Sequence, residues 1–113
     1  MHEMSLALGV VQIVEEAARA QGFAKVRAVR LEIGRLAAVE VEALRFCFQA
    51  ATRGTVADEA ALEIVALPGT AWCMQCSRSV ELPALAEPCT ICGGYQLQVT
   101  GGTEMRVKEL EID

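Results

Sequence analysis

Four cysteines, Cys73, Cys76, Cys89 and Cys92, stand as two C-x-x-C pairs separated by twelve residues. Each pair can place two thiolates on one tight turn, and two facing turns complete a tetrahedron around Zn²⁺. A ligand set of four thiolates is full, so the centre should be closed to substrate and should support a fold without doing chemistry. The same ligands also suit an iron–sulfur or rubredoxin-type iron centre, a thiol redox pair or a disulfide framework, but structural zinc is the favoured reading. The stretch from about Thr70 to Val99 holds one Trp, one Tyr and a few aliphatics. So small a module buries little apolar surface, and bound zinc contributes roughly 10–16 kcal/mol in peptides of this kind. Gly93-Gly94, just after the second pair, are expected to turn backbone N–H groups toward the sulfurs, and Arg78 to offset some of their charge.

The rest of the chain should form one compact unit around this module. Its 113 residues are 53% hydrophobic and 22% charged, which suits a globular protein. A formal net charge of −5 argues against non-specific nucleic-acid binding, which needs a basic footprint. No stretch of eighteen apolar residues suggests a membrane span. The opening MHEMSLALGVVQIVEE lacks a basic start, so no signal peptide is expected. Paired cysteines used for metal imply a reducing compartment, hence the cytosol.

Residues 3–21 read as a helix, with Met4, Ala7, Leu8, Val11, Val14 and Ala18 at helical spacing and Leu6, Val10, Ile13 and Ala17 widening the arc. So broad an arc predicts burial against both a sheet and a second helix, and Gly22 should cap the end. Val26 to Ile33 alternates as a strand. A second helix runs from about Glu40 to Thr52, ended by Arg53-Gly54, and Leu36-Ala37-Ala38-Val39 offers it no Ser, Thr, Asp or Asn cap. Cys47 lies on its apolar line and reads as a small core residue. Ala61 to Leu67 and Thr103 to Ile112 are further strands, the last changing phase near Lys108-Glu109, as a bulge would allow. The predicted fold is α+β: two helices packed on a small three-stranded sheet, with a zinc-ribbon-like four-cysteine module inserted before the last strand. The domains expected are 1–69 with 101–113, and an inserted module at 70–100 entered and left through glycine hinges.

The lone histidine is His2. A terminal histidine is usually uninformative, yet the Met1 α-amine, the His2 amide nitrogen and the His2 Nδ1 can chelate one ion in fused five- and six-membered rings. The Glu3 amide or carboxylate stands next in line. Such a near-planar nitrogen set favours Ni(II) or Cu(II) over Zn²⁺. Its affinity should fall as pH drops through the histidine range. Methionine before a bulky second residue is normally retained, so the amine should be present.

The opening MHEMSLA, the strand end LEIG, the helix LRFCFQAAT, the paired C-x-x-C module and the closing EMRVKELEID together resemble the HypA/HybF family of nickel metallochaperones for [NiFe]-hydrogenase maturation. The resemblance spans the whole chain with its motifs in order. It implies His2 as the essential nickel ligand, with Met1 and Glu3 beside it, and Cys73, Cys76, Cys89 and Cys92 as ligands of structural zinc. It also implies a HypB-type GTPase and the hydrogenase large subunit as partners, and some family members serve urease too. The chain departs from some relatives in having no histidine near the zinc module and no polar cap on the second helix.

A non-enzymatic nickel delivery protein is the reading that follows. One terminal histidine allows no Ser/His/Asp set, and neither a phosphate loop nor an open zinc position is present. The rivals are a zinc-ribbon module contacting protein or RNA with no nickel role, and a C-x-x-C thiol oxidoreductase. The second needs an exposed thiol of low pKa.

Overall fold

The computed structural model describes residues 2–113. In chain order the elements are α1 (His2–Gln21), β1 (Val26–Gly34), α2 (Val41–Ala51), β2 (Ala61–Leu67), β3 (Thr70–Cys73), β4 (Arg78–Glu81), β5 (Leu97–Gly101) and β6 (Met105–Ile112). The strands form two three-stranded sheets, ordered β2-β1-β6 and β4-β3-β5. The fold is therefore α+β, with the cysteine module inserted ahead of the last strand, as expected. The three short strands inside the module went unread in the sequence.

The chain divides into two compact units. One holds Met1–Leu31, Val39–Ile64 and Val107–Asp113; the other holds Glu32–Ala38 and Val65–Arg106. In the first unit α1 packs on α2. Its buried side chains include Val10, Val11 and Val14 of α1, Leu44, Cys47 and Phe48 of α2, and Val26, Val29 and Leu31 of β1. Cys47 is thus a core residue. The buried arc of α1 is narrower than its sequence suggested, because Leu8 and Ile13 stay 53% and 49% exposed. Apolar periodicity counts the residues that could be buried, and a small neighbour covers fewer of them.

Both helices end as local chemistry dictates. Gly22 closes α1 at φ 78, its N–H donating to the Ala18 carbonyl at 2.8 Å. At α2 the cap is Thr52, which has αR geometry and whose hydroxyl donates to the Phe48 carbonyl at 2.8 Å. Gly54 supplies a positive φ two residues later. The start of α2 does carry a polar cap. Glu40 is extended and its carboxylate accepts the Glu42 N–H at 3.0 Å. Glutamate is a rare choice there, since its longer side chain must fold back, and the cap therefore escaped the sequence pattern.

On β1, Arg27 and Arg30 both reach Glu111, and Arg30 also meets Glu63 at 2.6 Å and Glu109 at 3.4 Å. Strict alternation would put residues three apart on opposite faces, so β1 breaks phase between them, where Ala28 and Val29 are consecutively buried. On β6 Lys108 and Glu109 are consecutively exposed, which is the expected change of phase.

In the second unit the glycines serve close approach and not slack. A Cβ on Gly34 would strike the Gly102 backbone, and one on Gly102, at φ 90, would lie 2.7 Å from the Gly69 Cα. Hydrogen bonds knit the same place: Gly34 N–H to Glu104 O at 2.9 Å, Leu36 N–H to Gly102 O at 2.7 Å and Leu82 N–H to Gly69 O at 2.9 Å.

Candidate metal centre

Antiparallel pairing of β3 with β4 sets Ala71 opposite Val80 and Cys73 opposite Arg78, and β5 sets Leu97 opposite Cys73 on the other side. Cys73 is thereby fixed in a ladder before the first turn begins. Its surroundings are a small core of Leu36, Ala71, Val80, Leu82 and Cys89, with Cys76 and Leu97 packed against it. Trp72 and Tyr95 contribute little, at 43% and 71% exposure. Cysteines make up so much of this core that apolar burial alone is a weak support.

The four sulfurs lie within 4.8 Å of one another. Cys73 Sγ and Cys92 Sγ are 3.7 Å apart, and Cys76 Sγ and Cys89 Sγ 4.0 Å. A zinc tetrahedron with Zn–S bonds of about 2.3 Å has edges of about 3.8 Å. The donor set therefore fits Zn²⁺ in size, number and softness, as a structural zinc requires.

Backbone N–H groups do point at the sulfurs, but not from Gly93-Gly94. The Cys76 N–H approaches Cys73 Sγ at 3.4 Å and the Ile91 N–H approaches Cys89 Sγ at 3.4 Å. Gly93, at φ 74, instead closes its turn onto the Cys89 carbonyl at 2.9 Å, and a Cβ on Gly94 would displace the flexible Gln75 amide that packs there. The N–H groups of Cys92 and Ile91 pull the Cys89 thiol down to about 6. Hydrogen bonding to Cys92, and then burial, push Cys76 up to about 12. Thiolates this close repel, so ionising all four requires a cation among them, which a dication supplies.

The amino terminus has the opposite character. His2 begins α1 with its side chain 58% exposed, and its Nδ1 lies 3.3 Å from Glu3 Oε2. The same carboxylate oxygen accepts the Glu40 N–H at 3.3 Å. Hydrogen bonds from Glu40 and then His2 hold the Glu3 carboxyl below its ordinary value. The structure thus brings His2, Glu3 and Glu40 together, and Glu40 is the neighbour that sequence reasoning missed. Nothing in a chain separation of 37 residues could have flagged it. Met1, expected to give the amine, lies outside the described residues.

No helix among the described residues is long and apolar enough to cross a membrane. The profile described as "HypA: Hydrogenase/urease nickel incorporation, metallochaperone, hypA" matches residues 1–112. The hydrogenase maturation factor HypA of Albidiferax ferrireducens is 63% identical over 113 residues, covering all of both chains. That of Azotobacter chroococcum is 61% identical over the same span. The solution structure of the nickel metallochaperone HypA from Helicobacter pylori aligns with a TM-score of 0.69 at 27% identity, over 97% of this chain and 96% of that one. A second HypA solution structure gives a TM-score of 0.72 at 28% identity, over 99% and 96%.

Proposed function

The chain belongs to the HypA family of nickel metallochaperones for hydrogenase and urease, and from that premise we propose that it binds Ni(II) at Met1-His2-Glu3 and passes it to the [NiFe]-hydrogenase large subunit. The observation that carries the site is the exposed His2 at the very start of α1. The first N–H groups of a helix have no partner four residues back. The His2 and Glu3 amides are therefore free to lose their protons to a metal without breaking a helical hydrogen bond. With His2 Nδ1 and the Met1 amine, the His2 amide gives a nitrogen-rich, near-planar set of the kind Ni(II) prefers, and the Glu3 amide or carboxylate stands next in line. Glu3, tethered to the Glu40 amide, supplies a carboxylate beside that set.

The chemistry suits transfer. An open chelate at a helix start can exchange its ligands with an incoming site one at a time, whereas the four-sulfur centre cannot. Nickel is the cargo and zinc the resident metal of the module at 70–100, whose ligands are Cys73, Cys76, Cys89 and Cys92. The remaining 1–69 and 101–113 form the nickel-binding part. A HypB-type GTPase and the hydrogenase large subunit are the partners in this reading, urease is a second recipient, the compartment is the cytoplasm, and the protein catalyses no reaction.

Calorimetric titration of untagged, zinc-loaded protein with Ni(II) tests the site. His2→Ala should lose specific nickel binding while zinc content and circular dichroism stay unchanged. Nickel affinity equal to that of the unaltered chain would overturn it.

A further inference from the structure

The second unit carries a groove that neither metal uses. A cavity of about 220 Å³ is lined by Arg35, Leu36, Ala38, Ala84 and Leu85. A second, of about 200 Å³, shares Arg35 and adds Glu81, Pro83 and Thr90. We propose that this groove binds an extended peptide segment in which a single carboxylate adjoins an aliphatic side chain.

Two turns wall it. In the first, the Ala37 N–H donates to the Gly34 carbonyl at 3.0 Å, placing Arg35 and Leu36 at the centre of a β-turn. Leu36 is buried in the zinc-side core, and the Arg35 N–H is held by the Leu67 carbonyl at 2.9 Å. The arginine backbone is thus anchored while its exposed side chain makes no hydrogen bond or ion pair among the described residues. In the second, the Glu87 N–H approaches the Ala84 carbonyl at 3.4 Å, which sets Leu85 at the tip, 53% exposed.

Each wall carries one alanine in the left-handed region, where Glu59 and Ser77 also lie elsewhere in the chain. Ala38 has φ 56 and Ala86 has φ 67, a region where any L-residue is strained and glycine is not. The Ala38 methyl is kept at that cost and lines the cavity. A groove with an apolar pocket of this size accepts one Leu-sized side chain, and the unpaired guanidinium beside it accepts a carboxylate by charge-assisted hydrogen bonds. The net charge of −5 and Glu81 in the second cavity repel a polyacidic tract, so one carboxylate is the limit. Recognition here is independent of nickel.

The test uses full-length, zinc-loaded protein labelled with ¹⁵N and titrated with the capped peptide Ac-Ser-Glu-Leu-Ser-NH₂, in parallel with the versions carrying Gln for Glu and Ser for Leu. Saturable shifts should appear at the Leu36, Ala38, Ala84 and Leu85 amides, with a Kd of about 1 mM or tighter. Either peptide change, or Arg35→Ala in the protein, should weaken binding about fivefold. Glu81→Gln should tighten it. Because the peptide variants leave the protein untouched, loss of affinity there owes nothing to folding. Absence of saturable shifts at these amides, or equal binding of the Glu and Gln peptides, would overturn the proposal. So would shifts that grow with protein concentration alone, which would give the groove to a second copy of the chain.

Discussion

Cys73 sits in a paired strand, walled by Ala71, Val80 and Leu82, with three further sulfurs around it. His2 stands at the first turn of a helix, mostly in solvent, with one carboxylate beside it. One is a four-sulfur centre and the other the proposed nickel site, and they differ in how many independent constraints hold the donors. Cys73 is held by two strand pairings and the other sulfurs by turns and N–H groups, so the fold and the ion constrain the same donors together. The histidine is positioned by little more than the helix itself, so at the proposed nickel site the geometry would form with the ion. A centre of the first kind keeps its metal, while one of the second kind can give it up.

The sharpest way to break that comparison is to remove a sulfur. Cys73→Ser should cost most of the zinc contribution, on the order of 10 kcal/mol, and leave residues 70–100 open to proteolysis. His2→Ala should leave them protected, and equal protease sensitivity of the two variants would erase the distinction. Next in size, Gly102→Ala forces a Cβ at positive φ into the Gly69 backbone. It should cost about 3 kcal/mol or more in chemical denaturation of the zinc-loaded chain. A tag fused ahead of Met1 removes the amine and should weaken nickel binding at least about 100-fold without touching zinc. A tagged protein with full nickel affinity would remove the amine from the site.

The smallest effects lie where His2, Glu3 and Glu40 meet. Glu40→Ala removes the α2 cap and should cost about 1 kcal/mol. The Glu3 carboxyl is held below its ordinary 4.5 by hydrogen bonds to its ionised form. That contribution is present above the unfolded value and is lost as pH falls through the folded one. The Glu40 amide resonance should therefore titrate with a midpoint below 4.5. A midpoint above it would mean that the contact to Glu3 is not made in solution.

Periodicity located both helices and the three strands of the larger sheet within a residue or two, since each alternates or repeats over at least seven positions. It missed β3, β4 and β5, which are four or five residues long and carry too few apolar positions to show a period. It also overestimated the buried arc of α1, because Leu8 and Ile13 match the helical repeat but find no neighbour to cover them.

Composition and local spacing by themselves determined the two thiolate pairs, because C-x-x-C brings its ligands together within one turn whatever the rest of the chain does, while the meeting of Cys73 with Cys92 and of Cys76 with Cys89 came with the fold. They also placed His2 beside Glu3, which are adjacent in the chain. The Glu40 amide at Glu3, the three glycines that meet backbone to backbone, and Arg35 beside Leu85 were decided only by tertiary structure. Each joins residues far apart in sequence, where no local period or spacing records which pairs will meet. Their contacts exist only once strand pairing and core packing have brought the chain back on itself.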